Sequence, residues 1–290
     1  MQQPEVVAEG IVFPEGLAWS DRDGTLVCTG VQEGTVWRVW PDEGRKETIA
    51  SFAGGANNVA LAADGGCLVN QNGGIDARAA MLAIFPDMVP LPEPTHADPG
   101  MLRIHPSGEV EYLIASGLNC PNDLVVAPTG DILITDPGNP FSAIPVQPRL
   151  MRFTTDGSLE VVSEEFVYCN GLFATDDEIV VVDHHGLVRV MEDGSVETIV
   201  AGIGDPAADG ITVDRDGRIY AAGGIDMTVT VVEDGEVVEV IPIPGNGLAS
   251  NVAFGGPDGT WLFATDAAHG KVFRWKDMPT PGYPVKTWAP

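Results

Sequence analysis

One short pattern recurs six times along the chain: a polar residue, a short apolar run, a turn, then a second apolar run. No other feature limits the fold as tightly. The copies read PEGLAW from Pro14, NNVALA from Asn57, PNDLVV from Pro121, CNGLFA from Cys169, ADGITV from Ala208 and SNVAFG from Ser250. Aligned on the second letter, they set Glu15, Asn58, Asn122, Asn170, Asp209 and Asn251 at equivalent positions, 43, 64, 48, 39 and 42 residues apart. A downstream element repeats around Arg38, Arg103, Arg152, Arg189 and Arg274, with Thr230 standing in the fifth copy. Each unit holds about four short strands in roughly 40 to 45 residues, the period of a propeller blade.

The 35 glycines and 23 prolines punctuate short Val, Ile and Leu runs, and no long segment has helical periodicity. The chain therefore reads as all-β, a six-bladed β-propeller. A chain of 290 residues would suggest two domains on length alone. A closed ring needs one, spanning residues 1–290. Glu5 to Ala8 is expected to supply an outer strand that locks the last blade to the first. Residues 75–100 break the pattern with an apolar, Pro-rich insertion, for which a lid over a binding site and a subunit contact are equally good readings.

Forty-two acidic residues against fifteen basic ones give a net charge of −27, which repels nucleic acid and anionic lipid alike. No apolar run approaches the roughly 20 residues that a membrane-spanning helix needs. No secretory signal is visible in residues 1–10, so the expectation is a cytoplasmic protein, a monomer or small homo-oligomer, with neither nucleic-acid nor membrane partners. Cys28, Cys67, Cys120 and Cys169 form no CxxC pair and are expected to be buried, reduced thiols.

The first strand of a propeller blade lines the central channel, so the six aligned residues converge at one channel mouth. They comprise two carboxylates and four amides, and every one offers a hard oxygen. Without His or Cys in the set, the donors match Ca2+ best, with Mg2+, Mn2+ or Zn2+ as alternatives. Asn and Asp at strand starts often do no more than close turns. Six in register, two of them acids, favour a site. The DRDG runs at Asp21 and Asp214 lack the remaining spaced ligands of a calcium loop and read as hairpin turns. The second strand of each blade returns toward the same mouth, which makes Asn72, Asp136 and His184 further pocket candidates beside Asn58 and Asn251.

FPEGLAW, PNDLVVAPTGDILITDP, CNGL, ADGITVDRDG and SNVAFGGPDG together resemble the signatures of the senescence marker protein, gluconolactonase and luciferin-regenerating enzyme family of calcium-dependent six-bladed propellers. The resemblance implies a metal held by Glu15, Asn122, Asn170 and Asp209. One departure stands out: Ala208 occupies a position where the family usually has Pro, while the following Asp is kept. The implied activity is Ca2+-dependent opening of a small neutral lactone or ester, the cation polarising the carbonyl and Asp209 activating water beside Glu15. A phosphotriester or fluorophosphate hydrolase of the same architecture, and a non-catalytic calcium-binding propeller, are the competing readings. No GxSxG, HExxH, phosphate-loop or dinucleotide motif is present to support another chemistry.

Overall fold

A computed structural model describes residues 3–205 and 207–289. Six four-stranded antiparallel sheets follow one another around a ring. Their innermost strands are Pro14–Ser20, Ala56–Leu61, Leu124–Val126, Cys169–Ala174, Ile211–Val213 and Ala249–Gly255. Blades 1 to 6 are numbered in that order. Strand Glu5–Glu9 pairs with Lys271–Trp275, so the N-terminal segment completes blade 6 and closes the ring as expected. Arg274, 3% exposed, ties this seam by donating to Glu5 Oε2 at 2.6 Å and Asp42 Oδ1 at 2.8 Å.

The core is distributed rather than central. Alternate residues of each strand face the two neighbouring blades, which gives one apolar cluster per blade–blade junction. At the seam, Trp19 meets Trp261 edge-on at 5.5 Å and stacks on Phe263 at 5.9 Å, so the closing joint is filled by large rings. What is left in the middle is a channel.

Innermost strands approach each other closely at the channel wall, and this explains the glycine after the polar residue in blades 1, 4 and 5. A Cβ on Gly210 would lie 2.5 Å from the Asn251 amide, and one on Gly171 would collide with the Asp209 carbonyl oxygen. Any side chain there would push neighbouring blades apart.

Residues 75–100 leave blade 2 and fold back over the channel end where the innermost strands begin. The Ala- and Leu-rich stretch Arg78–Ile84 forms a short helix, and Met81, Phe85 and Met88 pack with Phe13, Ile225, Leu248 and Ala268. Val89 N–H donates to Ala268 O at 2.8 Å, and Gly54 N–H donates to Thr95 O at 3.0 Å. The insertion thus spans blades 2, 1, 6 and 5 as a cover on its own propeller.

At the opposite end the C-terminal segment runs across the hairpin turns. Tyr283 N–H bonds Val213 O, the Tyr283 hydroxyl bonds Asp176, Lys286 Nζ bonds Pro128 O and Trp288 N–H bonds Leu61 O, which straps blades 5, 4, 3 and 2 together. All four cysteines are buried and free, as their spacing implied. Among the described residues no helix is long and apolar enough to cross a membrane.

Candidate functional site

Bulges aim the polar ring. In blade 1, Pro14 pairs with Gly30 and Leu17 with Cys28, so Glu15 and Gly16 together oppose one residue. The same irregularity sets Asn57–Asn58, Asn170–Gly171 and Ser250–Asn251 against single partners in blades 2, 4 and 6. A bulge redirects the side chains it carries. Here it turns consecutive residues toward the channel mouth.

This register corrects the sequence alignment. The residues equivalent to Glu15, Asn122, Asn170 and Asp209 are Asn57 and Ser250, not Asn58 and Asn251, because the first inward aliphatic residue (Leu17, Val59, Leu172, Val252) fixes the count. Aligning on a polar letter slipped by one wherever the copy carries two polar residues in a row. Ser250 leaves the ring: its hydroxyl bonds Pro14 O at 2.9 Å and the Thr265 hydroxyl at 2.7 Å.

The remaining side chains form a continuous polar rim. Asn57 Nδ2 donates to Asn122 Oδ1, Asn122 Nδ2 donates to Asn170 Oδ1 at 2.7 Å, and Asn170 in turn bonds Asp209. On the far side of the ring Asn251 Nδ2 donates to Glu15 Oε2 at 3.0 Å. Asn58 lies just below, its Oδ1 accepting from Val59 N–H while its side chain bonds Asp123. The structure thus brings together Glu15, Asn122, Asn170 and Asp209, with Asn58 and Asn251 as direct neighbours.

Asp123 is the residue that sequence reasoning missed. It is 3% exposed and sits between Glu15 and Asp209 electrostatically, as the largest repulsive neighbour of both. Burial pushes its carboxyl up to about 6, against hydrogen bonds from Asn58 and the Leu172 backbone that favour the anion. Desolvation, followed by repulsion from Asp123, raises Glu15 and Asp209 well above the ordinary carboxylate range. The signal was visible in the third copy letter by letter: PNDL carries an acid directly after its aligned Asn.

Two buried acids, Glu15 and Asp123, and the half-buried Asp209, with no basic partner among the described residues, form an arrangement that asks for a cation. Two oxygens, Glu15 Oε1 and Asp123 Oδ1, are buried with no hydrogen-bond partner, although buried polar atoms are normally satisfied. Among the described residues no three Asp, Glu, His or Cys side chains share a metal-sized gap, so a cation here needs the amide oxygens as well. Asn122 and Asn170 each spend one oxygen lone pair on a neighbouring amide and keep a second. The residues fit a hard divalent ion.

The outlying candidates are placed differently. Asp136 is fully buried and its oxygens are consumed by Asn119 N–H at 3.0 Å, Cys120 N–H at 2.8 Å and the Arg149 guanidinium, which makes it a brace for the loop leading into the third innermost strand. His184 is an exposed turn residue with φ 50°, packed edge-on to His185 at 3.7 Å. Asn72 is buried, closing a turn through Gly74 N–H at 3.0 Å, with its Nδ2 unpartnered. His269 lies nearer the cover: Asp266 accepts from its Nδ1 side at 2.9 Å, and its Nε2 faces Asp87 of the insertion at 3.7 Å. The DRDG at Asp214 is a turn, its first carboxylate capping Asp216 and Arg218 N–H.

Fold and rim together define a six-bladed propeller with an acid-and-amide ring at one channel mouth. The profile of the SMP-30/gluconolactonase/LRE-like region matches residues 13–268, and the chain belongs to that family. It is similar in structure to regucalcin, a calcium-binding protein from Agrobacterium tumefaciens, with 18% identity over 99% of this chain and 97% of that one and a TM-score of 0.78. A gluconolactonase from Xanthomonas campestris shares 22% identity over 96% and 89% of the two chains, with a TM-score of 0.73. A luciferin-regenerating enzyme shares 16% identity over 98% and 99%, with a TM-score of 0.77. At these identities the likeness shows the fold alone. No curated protein matches the chain by sequence comparison.

Proposed function

We propose that this protein is a divalent-cation-dependent hydrolase that opens a neutral lactone at the covered channel mouth. The carrying observation is the uncompensated acid set of buried Glu15 and Asp123 with half-buried Asp209, two of its oxygens orphaned, on a member of a gluconolactonase-like family. Glu15, Asn122, Asn170 and Asp209 would hold the ion, and the hard-oxygen donor set favours Ca2+. When bound, such a cation supplies charge stabilisation to a lactone carbonyl oxygen as it becomes anionic.

The chain's own residues do the rest. Asp209 is held by Asn170 on a strand start that cannot shift, because Gly210 behind it abuts Asn251. It is the group set to take a proton from water. Burial disfavours its anion and so raises its basicity above that of an ordinary carboxylate. Asn251 orients Glu15, and Asp123 adds negative charge beneath both. The cover that closes this end of the channel is mostly Ala, Met, Leu, Ile, Phe and Pro, with few hydroxyl groups to recognise a sugar. A lactone less polar than a sugar suits it, and a surface of net charge −27 disfavours anionic substrates.

Replacing Asp209 by Asn keeps shape and the Asn170 contact while removing the base. Turnover of a responsive lactone is expected to fall by roughly 100-fold or more, the scale of general-base loss, while the metal-free fold is no less stable because a disfavoured charge has been removed. A variant that keeps full activity sinks the assignment of Asp209.

A further inference from the structure

The channel does not end at the polar ring. Beneath it, toward the hairpin turns, lies a cavity of about 710 Å3, within the roughly 300–1,000 Å3 range of small-molecule sites. Its wall is a ring of branched aliphatics, one from each blade: Leu17, Val59, Leu124, Leu172, Ile211 and Val252. Its roof is Asn58, Asp123 and Asn251, the underside of the rim described above. From Asn58 to Leu61 the wall runs three residues, so the cavity is about 10 Å deep at the usual strand rise. The C-terminal strap, residues 282–287, crosses its outer end.

Four charged side chains stand at that outer end: Asp21, Asp258, Arg215 and Lys286. The two acids are already used. Asp21 accepts from Trp19 Nε1 at 2.8 Å, and Asp258 accepts from the Thr260 hydroxyl at 2.7 Å and the Thr260 N–H at 3.2 Å. The two bases keep donors free. Lys286 gives one hydrogen bond, to Pro128 O, and keeps two donors, while the Arg215 guanidinium has no partner among the described residues. In a chain of net charge −27, these four side chains bring the outer end of an aliphatic shaft to local neutrality, and the two bases are the ones with donors left to give.

We propose that this lower channel is a second binding site, for an unbranched aliphatic molecule ending in a single carboxylate. The tail fills the aliphatic ring and the carboxylate meets Arg215 and Lys286, a charge-assisted pairing that guanidinium geometry suits. Because Asn251 and Asp123 belong to both the roof and the upper rim, an occupant touches the same residues that hold Glu15 and press on Asp209. The proposal stands on the cavity and its charges and does not depend on lactone hydrolysis.

Calorimetric titration with octanoate, with octanol as the uncharged control, tests it. The intact protein is expected to bind octanoate saturably at one site. In Arg215→Glu, a change at an exposed position, octanoate affinity is expected to fall about tenfold or more, the scale of one charged hydrogen bond, while octanol affinity holds. Lys286→Glu is expected to act in the same direction. Absence of saturable octanoate binding overturns the proposal, and so does an octanoate affinity in Arg215→Glu that stays within about threefold of the parent, since binding at the upper mouth would ignore that residue.

Discussion

Asp123 provides the sharpest test of how the polar rim is held together. Its folded carboxyl is raised from an ordinary 3.8 to about 6 by burial, and it is the largest repulsive neighbour of Glu15 and Asp209. A rise of that size corresponds to about 3 kcal/mol of destabilisation, an order-of-magnitude figure, in protein stripped of divalent ions. Because the folded value lies above the unfolded one, the penalty is absent below about pH 4, where both states are protonated. It grows as pH rises and is complete above about pH 6. Asp123→Asn keeps the volume and an acceptor for the Leu172 N–H but removes the charge. Thermal unfolding in chelator should show the variant melting with the parent near pH 4 and about 6 °C above it near pH 8, at roughly 2 °C per kcal/mol for a chain of this size. Saturating Ca2+ should close the gap by stabilising the parent more than the variant. A difference that is flat across pH, or a variant less stable throughout, would refute the claim that this charge is uncompensated.

Three further outcomes follow from the packing. Gly210→Ala places a Cβ 2.5 Å from the Asn251 amide and should cost about 1–3 kcal/mol, read by urea denaturation, with metal affinity falling alongside. Asp136→Asn leaves Arg149 without its anion and should cost about 3–5 kcal/mol in stability while leaving KM for a responsive lactone unchanged; a KM effect without a stability loss would return Asp136 to the pocket. Phe85→Ala should loosen the cover while the propeller's melting temperature changes little, so limited proteolysis should cut within residues 75–100 faster than in the parent.

The repeat made the ring legible because each blade must bury two faces against its neighbours, and that need writes itself as short apolar runs at a fixed period. The N-terminal closing strand was legible for a related reason: six units leave one outer strand short. Glu15, Asn122, Asn170 and Asp209 could be read because they precede inward aliphatics at a common offset. Asn57 was hidden by its neighbour: two Asn stand in a row, only the inward position of Val59 says which of them matches Glu15, and no letter marks which aliphatic faces the channel. Asp136 and His184 looked like pocket residues because strand ends and channel mouth coincide in the chain's geometry. Which carboxylate faces the mouth and which braces a loop depends on backbone N–H groups that no pattern of letters records. The C-terminal strap was equally hidden, being held by scattered backbone and side-chain bonds to successive blades rather than by a repeated motif.

The central claim is tested most directly by following acid release from a panel of sugar, aliphatic and aryl lactones and one neutral phosphotriester, first with Ca2+ and then with excess chelator. The account predicts turnover of at least one uncharged, weakly polar lactone, abolished by the chelator and restored by added Ca2+. If no member of the panel is hydrolysed in a metal-dependent way, the hydrolase reading is contradicted, and the acid ring is a binding site without chemistry.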